Sequence, residues 1–113
     1  MAGRYKVVPR ESRTADGIVF DSGHEMEQYL YLKAMQRCGA ITDLKLQVKF
    51  PLWAVNPETG ETATISHWVA DFVFTGLDGK ITYADAKGHR TKEYLRTKKW
   101  WQFCYAPRYI VEL

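Results

Sequence analysis

Apolar and polar positions alternate along the chain in blocks that predict two helices and four strands. The first helix is predicted by Ser22, which Glu25 follows three residues later in the pattern of a capping box. Gly39 is a typical C-terminal signal, so we expect this helix to run from Ser22 to about Cys38, after a short apolar entry at residues 17–20.

Strands are predicted near residues 44–53, 63–75 and 80–87, separated by a loop at 56–60 and a tight turn at 76–80. A second helix is expected from 91 to about 105, followed by a closing strand at 108–113. The first three strands should form an antiparallel meander. The last strand should lie parallel to a neighbour, because a helix carries the chain across the sheet. The predicted fold is therefore an α/β fold with a mixed sheet, α-β-β-β-α-β order and helices packed on the sheet.

A chain of 113 residues is of single-domain size, which we place at residues 17–113 behind a basic flexible arm at 1–16. We expect a cytoplasmic protein, because no apolar run approaches the roughly 20 residues of a membrane span and the first residues lack the apolar stretch of a signal peptide. Cys38 and Cys104 are too few for a disulfide framework and lack zinc-site spacing, so both are expected to be reduced core residues.

Two aspartates on adjacent predicted strands are the first candidates for chemistry. A three-residue loop with Gly79 in the left-handed position would set Asp71 opposite Asp85. Cross-strand partners lie roughly 5 Å apart and share a face, and Lys87 would project from the same face. Two carboxylates this close repel each other, and a divalent cation between them is the simplest remedy.

A purely structural reading is that one Asp pairs with Lys87. The surrounding strands weigh against it, since Asp71 interrupts a strongly apolar stretch at residues 68–74 and Asp85 interrupts another at 81–84. Asp is disfavoured in strands and is almost never buried unpaired. Two such residues facing each other indicate a functional site.

The net charge of +3 matters less than its distribution. Two basic clusters flank the acidic pair, and beside a metal site they predict contacts with a nucleic-acid backbone, although an ordinary solvated surface is the alternative for each. Their members are Arg4, Lys6, Arg10 and Arg13 in the first cluster, and Lys87, Arg90, Lys92, Arg96, Lys98 and Lys99 in the second. In the second helix, Trp100, Trp101 and Phe103 are expected to be core or dimer contacts.

Four blocks in order carry a family resemblance: residues 20–29 (FDSGHEMEQY), 46–50 (LQVKF), 69–72 (VADF) and 85–88 (DAKG). With the predicted element order, they resemble the PD-(D/E)XK nuclease superfamily, whose fold is restriction-endonuclease-like. The residues of these blocks are similar to those of small phage-encoded nucleases, including Holliday-junction resolving endonucleases and the endonuclease subunit of a heteromeric transposase. Asp85 stands where the superfamily often has Glu, and Ala70 stands where it often has Pro.

The resemblance implies Mg²⁺ or Mn²⁺ as cofactor, with Asp71, Asp85 and the Ala86 carbonyl among the ligands. It places Glu25 at the same metal, directly or through water, although a capping-box Glu needs no metal. Glu27 is the competing residue, and we expect it to be exposed to solvent.

The resemblance also makes Lys87 the residue that orients the attacking water, lowers its pKa or stabilises the phosphorane charge. Gln47 falls at a polar active-site position of related nucleases. His89 and Arg90 follow the active strand and could touch the scissile phosphate, with a surface role as the alternative for His89.

The expected activity is metal-dependent endonucleolytic hydrolysis of DNA, with branched or otherwise structured DNA as substrate, by a phage protein acting in the host cytoplasm. Cutting a four-way junction symmetrically needs two active sites, so a homodimer is expected on that substrate. The alternatives are a non-catalytic nucleic-acid-binding module on the same fold and a subunit of a recombination, transposition or packaging complex. Fold alone does not separate these functions.

Overall fold

A computed structural model of the chain describes residues 9–86 and 90–113. A 3₁₀ turn at Arg10–Arg13 precedes a small ribbon made of β1 and β2, and the main elements follow from residue 23. Their bounds are β1 Thr14–Ala15, β2 Ile18–Val19, α1 Gly23–Arg37, β3 Ile41–Val55, β4 Thr62–Gly76, β5 Ile81–Asp85, α2 Lys92–Cys104 and β6 Ile110–Glu112.

The main sheet has four strands in the order β3-β4-β5-β6. The first two pairings are antiparallel, and β6 lies parallel to β5 after the crossover through α2. The predicted mixed α/β class, the meander and the parallel last strand are therefore confirmed. Both β3 and β4 are longer than predicted, because their pairing continues to Val55 and Thr62, where the hairpin extends into solvent.

Part of the predicted N-terminal arm is folded. Residues Asp16 and Gly17 have positive φ angles of 50° and 76°, the two-residue turn that joins tight hairpins, and Thr14 pairs with Val19 across it. The Tyr29 hydroxyl donates a 2.6 Å hydrogen bond to Asp16, so the turn is tied to α1. Arg4 and Lys6 lie outside the described residues.

Two apolar clusters lie on opposite faces of the sheet, one beneath each helix. The first joins α1, through Tyr29 and Leu32, to Phe72 and Ala84. The second joins α2, through Trp101, to side chains of the sheet and its neighbours: Leu52, Trp68, Ala70, Val73 and Ile110. Trp101 is fully buried among rings, as predicted for the core.

Strands β3 and β4 change the face that they bury at the same level of the sheet. In β3, Leu46 packs in the first cluster but Val48 packs in the second. In β4, Ala70 packs in the second cluster but Phe72 packs in the first. Residues two apart normally share a face, so each strand rotates between them, at Gln47 and at Asp71. The φ of Gln47, +53°, shows where the backbone of β3 departs from extended geometry.

Several details differ from the sequence predictions. Cys38 is exposed at the C-cap of α1, so it is not a core residue, although both cysteines are free thiols as expected. Phe103 is 85% exposed, because the inner face of α2 is formed by Tyr94 and Trp101. Within the described ranges, no helix is long and apolar enough to cross a membrane.

Candidate functional site

The side-chain amide of Gln47 joins two carboxylates from different elements. Its Nε2 donates to Glu25 Oε2 at 3.3 Å and to Asp71 Oδ1 at 3.2 Å. Glu25 and Asp71 are only 5% and 9% exposed, whereas Gln47 is exposed. The three residues therefore form a small site in which two buried carboxylates lie beneath an exposed glutamine.

Asp71 also closes the end of the β4–β5 ladder. The last backbone pair is Phe72 with Ala84, and the same register places Asp71 opposite Asp85 one step further along. There the Ala86 N–H donates to Asp71 Oδ2 at 2.9 Å. The register follows the predicted turn, in which Gly79 has a φ of 80°.

Asp85 is almost completely buried, with 1% of its surface exposed. Its Oδ2 accepts a 3.4 Å hydrogen bond from the indole of Trp68, and its backbone carbonyl accepts the Leu113 N–H at 3.0 Å. His24 Nε2 lies 2.9 Å from the carbonyl of Leu113. The C-terminal strand thereby links the first turn of α1 to the Asp85 strand.

Glu25 contributes to the cap and to the site through different atoms. Its backbone N–H donates to Ser22 Oγ at 3.1 Å, which is the N-cap bond that the sequence predicted. Its carboxylate is directed to Gln47 and is buried, while Glu27 is exposed as expected. An N-cap therefore positions an acid of the candidate site.

Of the remaining predicted residues, Ala86 lies at the site, and its N–H contacts Asp71. Lys87 and His89 lie outside the described residues, so their predicted roles stay predictions. Arg90 is described and is discussed below.

A small cavity of about 270 Å³ is lined by Glu25, Gln47, Asp21, Leu46 and residues 18–20. A larger open groove of about 1200 Å³ lies at the opposite end of β5, around the 76–80 turn and Pro107–Tyr109. The larger groove contains none of the predicted site residues. The smaller cavity is the one of the two that is lined by candidate site residues, Glu25 and Gln47, so we place the candidate site there.

The donor set suits a hard cation. Among the residues that the structure describes, no three His, Cys, Asp or Glu side chains converge as metal ligands. Mg²⁺, however, is usually bound through one or two carboxylates together with water and substrate phosphate. Glu25 and Asp71, bridged by one amide, provide that number of carboxylates.

The predicted basic residues divide into two groups. Lys92, Arg96 and Lys99 are exposed and spaced i, i+4 and i+7, so they form one basic stripe on α2. Arg10 is exposed in the 3₁₀ turn, whereas Arg13 Nη1 donates to the Phe20 carbonyl at 2.6 Å and so helps to hold the ribbon.

Glu112 is a site neighbour that the sequence patterns missed. It pairs with Asp85 across the parallel β5–β6 ladder, and its carboxylate is met by two hydrogen-bond donors and by the guanidinium of an ion pair. They are Lys98 Nζ at 2.7 Å and the Tyr94 hydroxyl at 3.2 Å, both on Oε2, and Arg90 Nε at 3.2 Å on Oε1. The only sequence signal was an acid in a closing strand predicted to lie parallel to a neighbour.

Two pKa shifts follow from this arrangement. The hydrogen bond from Lys98 lowers the pKa of Glu112 below its ordinary value of 4.5, against the opposing effect of burial. Burial, followed by the charges of Asp85 and Glu112, raises the pKa of the Tyr94 hydroxyl well above 10.0, so this group stays protonated at neutral pH.

Comparison with known proteins gives one family. No curated protein and no solved structure matches the chain. A family model described as protein of unknown function (DUF1064) matches residues 8–111. That match covers both helices, strands β1 to β5 and the candidate residues Glu25, Gln47, Asp71 and Asp85, and the chain therefore belongs to the DUF1064 family.

Proposed function

We propose that this protein is a metal-dependent endonuclease that hydrolyses phosphodiester bonds of DNA, on a restriction-endonuclease-like fold. The observation that carries the proposal is the bridge from Glu25 through Gln47 to Asp71, with buried Asp85 on the adjoining strand. These residues belong to the four sequence blocks that resemble PD-(D/E)XK nucleases.

The strain at Gln47 supports a functional reading. A non-glycine residue with a φ of +53° costs roughly 1–3 kcal/mol, and such residues cluster at active sites. Here the same residue donates hydrogen bonds to both acids. Asp43 of the same strand has a φ of 55° at a register shift of the ladder, so the positive φ of Gln47 supports the proposal through the two hydrogen bonds that its side chain makes.

In the proposed reaction, water attacks the phosphorus and the bond to the 3′ oxygen breaks, which leaves a 5′-phosphate and a 3′-hydroxyl. Bound Mg²⁺ or Mn²⁺ would polarise the phosphoryl oxygen and provide hydroxide near neutral pH. Asp71, Asp85 and Glu25 would hold the ion, with the Ala86 carbonyl as a further ligand. Lys87 would orient the water, and Gln47 would keep Glu25 and Asp71 at a fixed separation.

The exposed stripe of Lys92, Arg96 and Lys99 supports a nucleic-acid partner, because contacts of this kind hold a phosphate backbone without reading its sequence. A domain of this size has little surface for base readout, so we propose recognition of DNA shape, with branched DNA as the preferred class. A homodimer, and a role in phage recombination, transposition or packaging, belong to the same proposal.

The test is cleavage of end-labelled DNAs of equal length in Mg²⁺ or Mn²⁺: a four-way junction, a flap, a linear duplex and a single strand. Wild type is compared with Asp71→Asn and Asp85→Ala, with EDTA as the metal control. Asp43→Asn is the matched variant, because it removes an exposed carboxylate of β3 that pairs with Lys45 away from the site.

Metal-dependent cutting by wild type and Asp43→Asn, reduced at least about 100-fold in both site variants, is the expected result. The preferred DNA then identifies the substrate class. DNA binding without cutting in either metal would contradict the nuclease proposal and favour a non-catalytic binding module.

A further inference from the structure

The carboxylate of Glu112 is placed between the candidate catalytic strand and the basic surface. Glu112 pairs with Asp85 in the β5–β6 ladder. Its carboxylate contacts Arg90, in the segment that enters α2, and Lys98, in α2 itself. Two cations, Arg90 and Lys98, therefore meet the carboxylate of Glu112.

Exposure shows which cation balances Glu112. The side chain of Lys98 is 21% exposed and its Nζ lies 2.7 Å from Oε2, on the inner face of α2 between Tyr94 and Trp101. The side chain of Arg90 is 54% exposed, and its Nε lies 3.2 Å from Oε1. Lys98 is therefore the inner counter-ion of Glu112, and Arg90 is the outer, more exposed one.

The ion pair with Glu112 is formed by Nε of Arg90, and more than half of this side chain is exposed to solvent. A guanidinium has five N–H groups in a rigid plane, and its terminal nitrogens carry four of them. Those terminal groups match two oxygens of a phosphate. Because Glu112 is the ladder partner of Asp85, the guanidinium is anchored beside the strand end that carries the buried acid.

We propose that Glu112 is a positioning residue that directs the Arg90 guanidinium toward a DNA phosphate next to the Asp85 strand. The inference rests on the proposed nuclease function and extends it by assigning one phosphate contact and the residue that orients it. Lys98 then acts inside the protein as the counter-ion of Glu112, and it leaves the set of predicted backbone contacts.

Glu112→Gln should change DNA binding in opposite directions depending on whether Glu112 only repels DNA or positions Arg90. Removing an anion from a DNA-binding surface strengthens binding if the anion only contributes repulsion. If Glu112 positions Arg90, binding weakens, because the neutral amide holds the guanidinium less firmly. Glu93→Gln is the matched control, since it removes an exposed acid from the first turn of the same helix.

The measurement is the Kd for a labelled four-way junction and for a linear duplex, across a series of salt concentrations, in the Asp71→Asn background that prevents cutting. We expect Glu112→Gln to weaken binding about fivefold, the size of a strong exposed ion pair, and Glu93→Gln to leave it unchanged or tighter. Arg90→Ala should weaken binding similarly and reduce the salt slope by about one phosphate contact.

The double variant Glu112→Gln/Arg90→Ala should bind no more weakly than Arg90→Ala, because Glu112 acts through Arg90. Arg90→Lys keeps the charge at an exposed position, so folding is preserved, and it should also weaken binding through loss of the fork. Circular dichroism of each variant confirms that it is folded at the assay temperature.

The outcomes separate the two proposals. If wild type cuts DNA but Glu112→Gln binds DNA as tightly as its parent or more tightly, the positioning role is wrong and the nuclease proposal stands. The same conclusion follows if the losses of affinity in Glu112→Gln and Arg90→Ala are fully additive in the double variant. If wild type neither binds nor cuts any of the DNAs, the nuclease proposal fails and this inference fails with it.

Discussion

Gln47 and Asp71 lie opposite each other at the level where β3 and β4 both change the face that they bury. The pairs on either side, Leu46 with Phe72 and Val48 with Ala70, keep one register, so the two strands rotate together without a slip. The 3.2 Å hydrogen bond between their side chains spans this point. The candidate site therefore occupies a local irregularity of the ladder, between its two register shifts at Thr42/Lys45 and Leu52/Trp53.

The Gln47 bridge predicts a metal-dependent stability change in Gln47→Glu. A third carboxylate at this point repels Glu25 and Asp71, which should lower the free energy of unfolding by about 1–2 kcal/mol in EDTA. A divalent cation at about 100 times the Kd of wild type stabilises the folded wild type by about 2.7 kcal/mol. At the same metal concentration the gain should be larger in the variant, because the third carboxylate binds the cation more tightly.

Thermal unfolding in EDTA, Mg²⁺ and Mn²⁺ checks this prediction. Gln28→Glu on α1 makes the same charge change outside the described site contacts and should respond to metal as wild type does. Equal responses of Gln47→Glu and wild type would argue against a cation between these acids.

The two faces of α2 predict contrasting effects of aromatic truncation. Trp101 is fully buried and its ring contacts Trp68, Tyr83 and Tyr105, so Trp101→Ala should cost about 3–5 kcal/mol of unfolding free energy. Phe103→Ala should change it by less than about 0.5 kcal/mol, since that ring is 85% exposed. Urea unfolding followed by circular dichroism measures both. A large loss in Phe103→Ala would show that this ring is covered in solution, as in a dimer.

The lowered pKa of Glu112 gives a pH dependence of known sign. The unfolded chain binds the proton more readily than the folded one, so the contribution of Glu112 to stability is complete above about pH 4.5 and is lost as the pH falls through the lower folded pKa. Glu112→Gln should therefore lose less stability than wild type between pH 7 and about pH 3. Urea midpoints at several pH values provide the measurement, and parallel curves for the two proteins would contradict it.

The ribbon turn predicts a backbone effect at Gly17. Its φ is 76°, and an added Cβ would meet no atom within 4 Å, so the cost of Gly17→Ala comes from the left-handed conformation alone. We expect a loss of about 1–2 kcal/mol in unfolding free energy, and a smaller loss for Gly17→Asn, because Asn tolerates this region. Chemical denaturation of the three proteins measures the order, and equal stability of the Ala and Asn variants would be inconsistent with this cause.

The sequence by itself determined the elements whose signals are local. Ser22 and Glu25 gave the start of α1, and the 76–80 turn gave the β4–β5 register that sets Asp71 opposite Asp85. Asp16-Gly17 is an equally local hairpin signal, but the polar, basic residues around it predict a flexible arm. Caps and tight turns can be predicted because each depends on residues within about five positions of one another.

The tertiary structure decided which side chains meet. Gln47 contacts Glu25 across 22 positions of sequence, and Glu112 pairs with Asp85 across 27, so no periodicity within one element records either contact. An alternating pattern of apolar and polar residues also cannot predict that β3 and β4 switch their buried face at Gln47 and Asp71. Such a pattern is interpreted on the assumption that a strand keeps one orientation along its length. Packing of α1 and α2 on opposite faces fixes that rotation, and the rotation brings the amide between the two acids.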